Sequence, residues 1–213
     1  EDGVSPYAQK ATASLPAKHD PRSKNTLTTI KNQFQTGTCW AFAALSCTES
    51  NLIQKGLENQ NVQFSVPSLV LSTYANGGFD ESIWDCGGTW MDSSLAMAAH
   101  RGLCYEEYEP FVSDGTEATI VSEEKKGVCE YQLNYASTIT GGRNAIKNKI
   151  KELGGVMVSY YADDIYMTFD NKSYYDPETT KYSGINHAVS VVGWDDNYSK
   201  SNFLAGYQPK KNG

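Results

Sequence analysis

Between Asn32 and Glu49 the chain reads NQFQTGTCWAFAALSCTE, and no other stretch limits the possible folds as strongly. Thr36-Gly37-Thr38 has the composition of a turn: Gly37 accepts backbone angles that other residues avoid, and Thr38 is an acceptable N-cap. From Trp40 to Lys55 nothing breaks a helix, and Gly56 supplies the usual stop. Trp40, Ala41, Ala44, Leu45, Thr48, Leu52 and Ile53 fall mostly on one face, which predicts a helix buried on that side. Cys39 then lies in the first turn, where unpaired amide groups and the helix dipole favour a thiolate over a thiol. A thiolate is a good nucleophile at neutral pH. Position alone does not decide the role, because a cysteine on an apolar helix is more often a small buried hydrophobe.

The remaining segments predict a helical first half and a strand-rich second half. Leu15-Pro16 opens an extended segment, and Thr26 to Lys31 (TLTTIK) alternates enough for a short strand. A helix is expected over Ser68 to Tyr74, started by Ser65 or Pro67, and another over Met91 to Arg101, stopped by Gly102. His100, at the end of that helix, suits the dipole and reads as structural. Between them lies Asp85-Cys86-Gly87-Gly88-Thr89, a turn whose two glycines let a backbone come close to something. Tyr105 to Phe111 reads as a linker, and Asp114 to Lys126 as an exposed polar excursion. Asn144 to Leu153 is a fourth helix, stopped by Gly154-Gly155. Val156 to Ala162 and Ile185 to Trp194 are the two strong strands, the second carrying His187. The order predicts an α+β chain with a leader or propeptide remnant over 1–14, a mainly helical lobe over 15–110 and a mainly β lobe over 111–213.

Composition narrows the function. Hydrophobic residues make up 39% and charged residues 20%, which places the chain among globular rather than disordered sequences. The net charge is −7 with no basic stripe, so nucleic acid is not an expected partner. No apolar run approaches the ~18 residues that span a bilayer. There are three histidines and no C-x-x-C pair, so no metal site and no cofactor is expected. Asp163, Asp164, Asp170 and Asp176 lack calcium-loop spacing and read as a solvated loop. Five cysteines leave one thiol over if four pair, and a fully reduced set is the alternative.

Breaking an amide requires a nucleophile, a proton-carrying partner and donors for the developing oxyanion. Cys39 is the candidate nucleophile. His187, fixed on a strand, is the candidate partner: as a cation it stabilises the thiolate, and it then protonates the leaving amine. Gln33, on the loop feeding the helix, offers a side-chain amide that can complete an oxyanion hole with the Cys39 backbone N–H. Taken singly, Gln33 reads as a surface glutamine and His187 as a core histidine.

Together these residues carry a resemblance. Gln33 and Thr36-Gly37-Thr38-Cys39-Trp40-Ala41-Phe42 resemble the active-site segment of papain-like cysteine proteases, and Asn186-His187-Ala188-Val189 with Val192-Gly193-Trp194 resembles their histidine strand. Leu15-Pro16 is similar to the mature start of such enzymes, so the likeness runs from about residue 15 to the end. It implies a two-lobed fold, a helical lobe and an antiparallel β-barrel-like lobe with the active-site cleft between, acting on protein or peptide substrates. It also implies that Gly87 and Gly88 lie beside the substrate backbone, with Trp90, Ser159 and Ala188 as pocket walls and Asn186 among the substrate contacts. The run from Val192 to Lys200 is especially similar to secreted or cell-wall proteases of clostridia and related gut bacteria, which implies a secreted or bacterial cell-surface location.

Three departures qualify the resemblance. Thr36 stands where the family often has a cysteine, so cysteine pairing does not carry over. The glycine loop is one residue short. The family's Asn-Ser-Trp-Gly segment, whose asparagine orients the imidazole and whose tryptophan shields that bond, is absent. The expectation is that the C-terminal strands are missing from this chain and that a second chain, separated by cleavage, supplies them. Two rival readings use the same residues: a catalytically inactive binding module, and a Cys–His acyl transferase of transglutaminase type.

Overall fold

The computed structural model describes residues 14–74, 87–98, 103–113, 118–119, 131–170, 172–178 and 184–213. Its central element is helix α1, Cys39–Gln54. The Thr38 carbonyl accepts from the Ala41 and Phe42 N–H groups at 2.9 and 3.2 Å, which starts the helix. The Thr38 hydroxyl does not cap it, because that group is paired with the Thr36 hydroxyl at 2.6 Å. At the far end Gly56 turns left-handed (φ 70°). Its N–H bonds the Ile53 carbonyl and the Leu57 N–H bonds the Leu52 carbonyl, both at 3.0 Å, which is the Schellman stop that the sequence predicts.

Small residues on α1 let neighbours approach closely. Trp40, Ala41, Ala43, Ala44, Leu45 and Leu52 are buried and form a cluster with Val62, Phe64, Val66, Leu69, Val70, Met97, Leu103 and Ala188. Helix α2, Val66–Tyr74, has Pro67 in its first turn, and the Ser65 hydroxyl accepts from the Ser68 N–H at 3.0 Å. Helix α3, Trp90–Ala98, begins with a capping box: the Asp92 carboxylate accepts from the Thr89 N–H and hydroxyl at 2.7 Å each. The expected end of this helix, with His100 and Gly102, lies outside the described residues.

The expected strand over Thr26 to Lys31 is not present. That segment is tied through side chains instead: the Thr28 hydroxyl and the Lys31 ammonium reach Glu49 at 2.9 and 2.6 Å. Glu49 is fully buried on α1, and the Phe64 N–H is its third donor at 2.9 Å. A buried carboxylate requires such partners, and this one draws the segment off any ladder.

In the second half β2, Val112–Ser113, pairs with β3, Ala118–Thr119. Helix α4, Arg143–Leu153, docks its C-terminus on α1. The Asn51 amide donates to the Leu153 carbonyl, and the Gln54 amide to those of Lys151 and Glu152, at 2.7–2.9 Å, so α1 satisfies carbonyls that α4 leaves open. Strand β4, Val156–Tyr160, runs antiparallel to β5, His187–Val191, from Val156 opposite Val191 to Tyr160 opposite His187. The single strand expected from Ile185 to Trp194 is split. A side chain at Gly193 would strike the His19 carbonyl, and there the chain leaves β5. It then forms β6, Trp194–Asp195, against β1, Lys18–His19. Among the described residues the strands form three two-stranded antiparallel ladders and no closed barrel, consistent with the expected α+β fold, with β4 and β5 laid on α1. The loop read as solvated is partly buried, through Tyr166, Ser173 and Asp176.

Candidate active site

Cys39 opens α1, half-buried against the apolar cluster. Its thiol is not in a disulfide, and neither is that of Cys47 two turns along. Four cysteines paired around one free nucleophile is therefore not the arrangement. The two thiols differ chemically. Burial pushes Cys47 up to about 11, with only the Ser190 hydroxyl at 3.1 Å to oppose it, so it stays protonated and inert. Cys39 instead heads the helix, where its backbone and the next N–H groups face the first-turn opening.

The loop before Cys39 is bound to itself. The Gln33 carbonyl accepts from the Thr36 N–H at 3.3 Å and from the Thr36 hydroxyl at 2.7 Å. The Gln33 amide donates to the Thr36 carbonyl at 2.6 Å. One amide N–H is thus committed to holding the turn, and a primary amide has a second. The left-handed residue of the turn is Phe34 (φ 51°), whose N–H is fixed by the Asn32 side chain at 2.8 Å. A non-glycine residue there carries strain, which these bonds hold in place.

His187 is the first residue of β5, and β5 packs on α1, the helix that begins at Cys39. Burial lowers the His187 pKa below its ordinary value. Ala188 is buried in the same cluster as Trp40, and its register partner Ser159 is exposed. Tyr160 is the partner of His187, and burial together with the nearby Cys39 raises its phenol above the ordinary range.

The expected substrate-contacting residues separate into groups. Gly87 is exposed, with open space where a side chain would be. Gly88 is glycine for a structural reason: a Cβ there would lie 2.5 Å from the Trp40 indole. Its backbone is pressed on the residue next to Cys39, which brings the glycine pair to the head of α1. Trp90 heads α3 and is 41% exposed. The Asn186 side chain is engaged with the protein itself, accepting from the Ala162 N–H at 2.6 Å and donating to its carbonyl at 2.8 Å. Cys86 lies outside the described residues. Sequence reasoning missed Tyr160; a period-two reading of both strands would have found it once their register was known. Among the described residues no cluster of His, Cys, Asp and Glu fit for a metal is present.

Residues 15–207 match the family model described as papain family cysteine protease. Mouse cathepsin K is 27% identical over 189 residues, covering 88% of this chain and 54% of that protein. Mouse procathepsin L is 27% identical over 205 residues, covering 92% and 56%. Among solved structures, the clostridial cysteine protease Cwp84 after propeptide cleavage superposes with a TM-score of 0.74 at 26% identity, over 92% of this chain and 48% of that one. A structure of the protease and lectin-like domains of Cwp84, described as a surface layer associated protein of Clostridium difficile, gives 0.71 at 26% identity, over 96% and 44%. The chain spans about half the length of the curated relatives it matches. None of these matches supports a companion chain.

Proposed function

The chain belongs to the papain family of cysteine proteases, and from that premise we propose that it is a cysteine endopeptidase in which the Cys39 thiolate attacks the carbonyl carbon of a peptide bond. The observation that carries this reading is the packing of α1, headed by Cys39, on β5, headed by His187. The attack forms a C–S bond and moves the carbonyl electron pair to oxygen. The uncommitted Gln33 amide N–H and the Cys39 backbone N–H receive that oxyanion. His187 gives its proton to the departing amine, leaving a thioester on Cys39. His187 then takes a proton from water, whose oxygen attacks the thioester and frees the acid and the thiol. Gly87, Ser159 and the backbone at Asn186 are the substrate contacts of this reading. No metal or organic cofactor takes part in it. The surface-layer association of Cwp84 supports a secreted or cell-surface location as part of the same proposal.

The test is turnover of an unfolded protein and of a peptide library by the parent protein and three variants. Cys39→Ala and His187→Ala are expected to abolish hydrolysis with the melting temperature little changed. Gln33→Ala is expected to lower kcat on the order of 10²–10³-fold. Hydrolysis that persists in Cys39→Ala removes the proposal. Incorporation of an added amine in place of water assigns an acyl transferase instead. A Cys39 thiol that is unreactive toward iodoacetamide at pH 6–7 assigns a binding module.

A further inference from the structure

Tyr160 and His187 face each other across the β4–β5 ladder, so both side chains leave the same face of the sheet. Their rings meet with centroids 5.6 Å apart and planes 69° apart, an edge-to-face contact. Tyr160 is held from behind. Tyr174 lies against it at 5.4 Å and 60°, and the Tyr174 hydroxyl is fixed on the Tyr161 carbonyl at 2.8 Å. Tyr166, almost fully buried, backs Tyr174 in turn at 6.4 Å, and Tyr207 packs on Tyr166 at 4.9 Å. The backbone beneath the pair is also braced. The Asn186 N–H bonds the Tyr160 carbonyl at 3.2 Å, while the Asn186 carboxamide grips both backbone groups of Ala162.

We propose that Tyr160 is a positioning residue for His187: its ring, backed by Tyr174, keeps the imidazole turned toward Cys39. The inference rests on the dyad reading given above. A histidine on a strand has several staggered side-chain orientations, and only one presents its ring to a given neighbour. Proton exchange with the thiol needs the two groups within hydrogen-bond reach. A rigid aromatic wall beside the imidazole removes orientations that turn it away, and it does so without a hydrogen bond of its own. Tyr160 faces His187 from β4, and Tyr174 stands behind Tyr160. Neither phenol carries a formal charge at neutral pH, so the proposed effect is one of orientation.

Two substitutions separate the ring from the hydroxyl. Tyr160→Val keeps a strand-favouring side chain and withdraws the ring. Tyr160→Phe keeps the ring. In the whole protein, Tyr160→Val is expected to lower kcat on the order of 10–100-fold with KM little changed, the size of effect that follows a misplaced catalytic group. The pH profile of Cys39 alkylation by iodoacetamide, taken as the difference from Cys39→Ala, is expected to move to higher pH, because a thiol without an aligned imidazole titrates as an ordinary thiol. Tyr160→Phe is expected to recover most of the rate and the parent profile. Tyr174→Leu is expected to move both in the same direction by a smaller factor, and it decides the matter if Tyr160→Val fails to fold by circular dichroism. Parent kcat and parent alkylation profile in Tyr160→Val, or in Tyr174→Leu as the deciding variant, overturn the proposal. So does a Tyr160→Phe variant as impaired as Tyr160→Val. A parent protein whose alkylation profile does not respond to His187→Ala overturns the dyad reading itself, a result distinct from any effect of Tyr160.

Discussion

Glu49 is the residue on which the helical half depends most. Its carboxylate is fully buried and receives a Lys31 ammonium, a Thr28 hydroxyl and a Phe64 N–H. Removing one member of such a set leaves the others desolvated and unpaired, which costs about 3–5 kcal/mol for a buried ion pair. Glu49→Ala is therefore expected to lower the unfolding free energy by about that amount in urea titration. A loss within the range of an ordinary surface substitution, under about 0.5 kcal/mol, would show that the carboxylate is solvated. The sequence hides this role. On a helical wheel a glutamate beside Thr48 reads as the edge of the solvated face, because its partners come from positions 21, 18 and 15 residues away. Cys39 and His187 stand out in the sequence as candidates for the opposite reason. Each sits in a short local pattern, a turn before a helix and a histidine opening a strand, and the chemistry needs nothing more distant to be suspected. Tyr160 was not legible, since only the register of β4 on β5 sets it against the imidazole.

At the scale of elements the helices were legible and the strands less so. Capping signals are local, and Ser65, Thr89 and Gly56 act where they stand. Strand partners are not local. The alternation of Thr26 to Lys31 is satisfied by one glutamate rather than a ladder, and the run from Ile185 to Trp194 divides where Gly193 meets His19. The most exacting join is that of α4 to α1. Gly154 takes φ 91°, and a Cβ there would lie 2.6 Å from the Ser50 carbonyl oxygen. Gly154→Ala thus combines backbone strain with a backbone clash, and about 1–3 kcal/mol of strain alone is expected. Because the clash lies between two helices, relief requires α4 to withdraw, which strips the Leu153, Lys151 and Glu152 carbonyls of their α1 donors. Hydrogen exchange in Gly154→Ala should accelerate across residues 143–153 while the amides of α1 stay protected. Uniform acceleration across both helices would show that the join is not a local one.

At the scale of the molecule, α1 belongs to both halves of the chain. It packs on α2 and α3 and also on α4, β4 and β5, and Ala188 of β5 completes a cluster otherwise built from the first half. The ends of the described chain are tied as well. The Trp194 indole donates to the Pro16 carbonyl at 2.9 Å and stacks on His19 at 4.8 Å, and Lys18 pairs with Asp195 at 3.1 Å. A boundary near residue 110, natural from the change of sequence character, leaves α1 in contact with elements on both sides of it. Residues 15–110 alone would leave the face of α1 under β5 in water, and the loss of that apolar burial, at about 25 cal/mol per Å², removes much of what holds a small helical unit together. The expected outcome is that this fragment shows no cooperative urea transition and no near-ultraviolet circular dichroism. In the whole protein, tryptophan fluorescence and far-ultraviolet circular dichroism should then follow one coincident transition. A fragment that melts cooperatively, or two separated transitions in the whole chain, would establish independent lobes and make the contact of α1 with β5 a docking surface. Cys39 and His187 would in that case be brought together by an interface able to open, and their alignment would depend on lobe closure rather than on the fold of a single core.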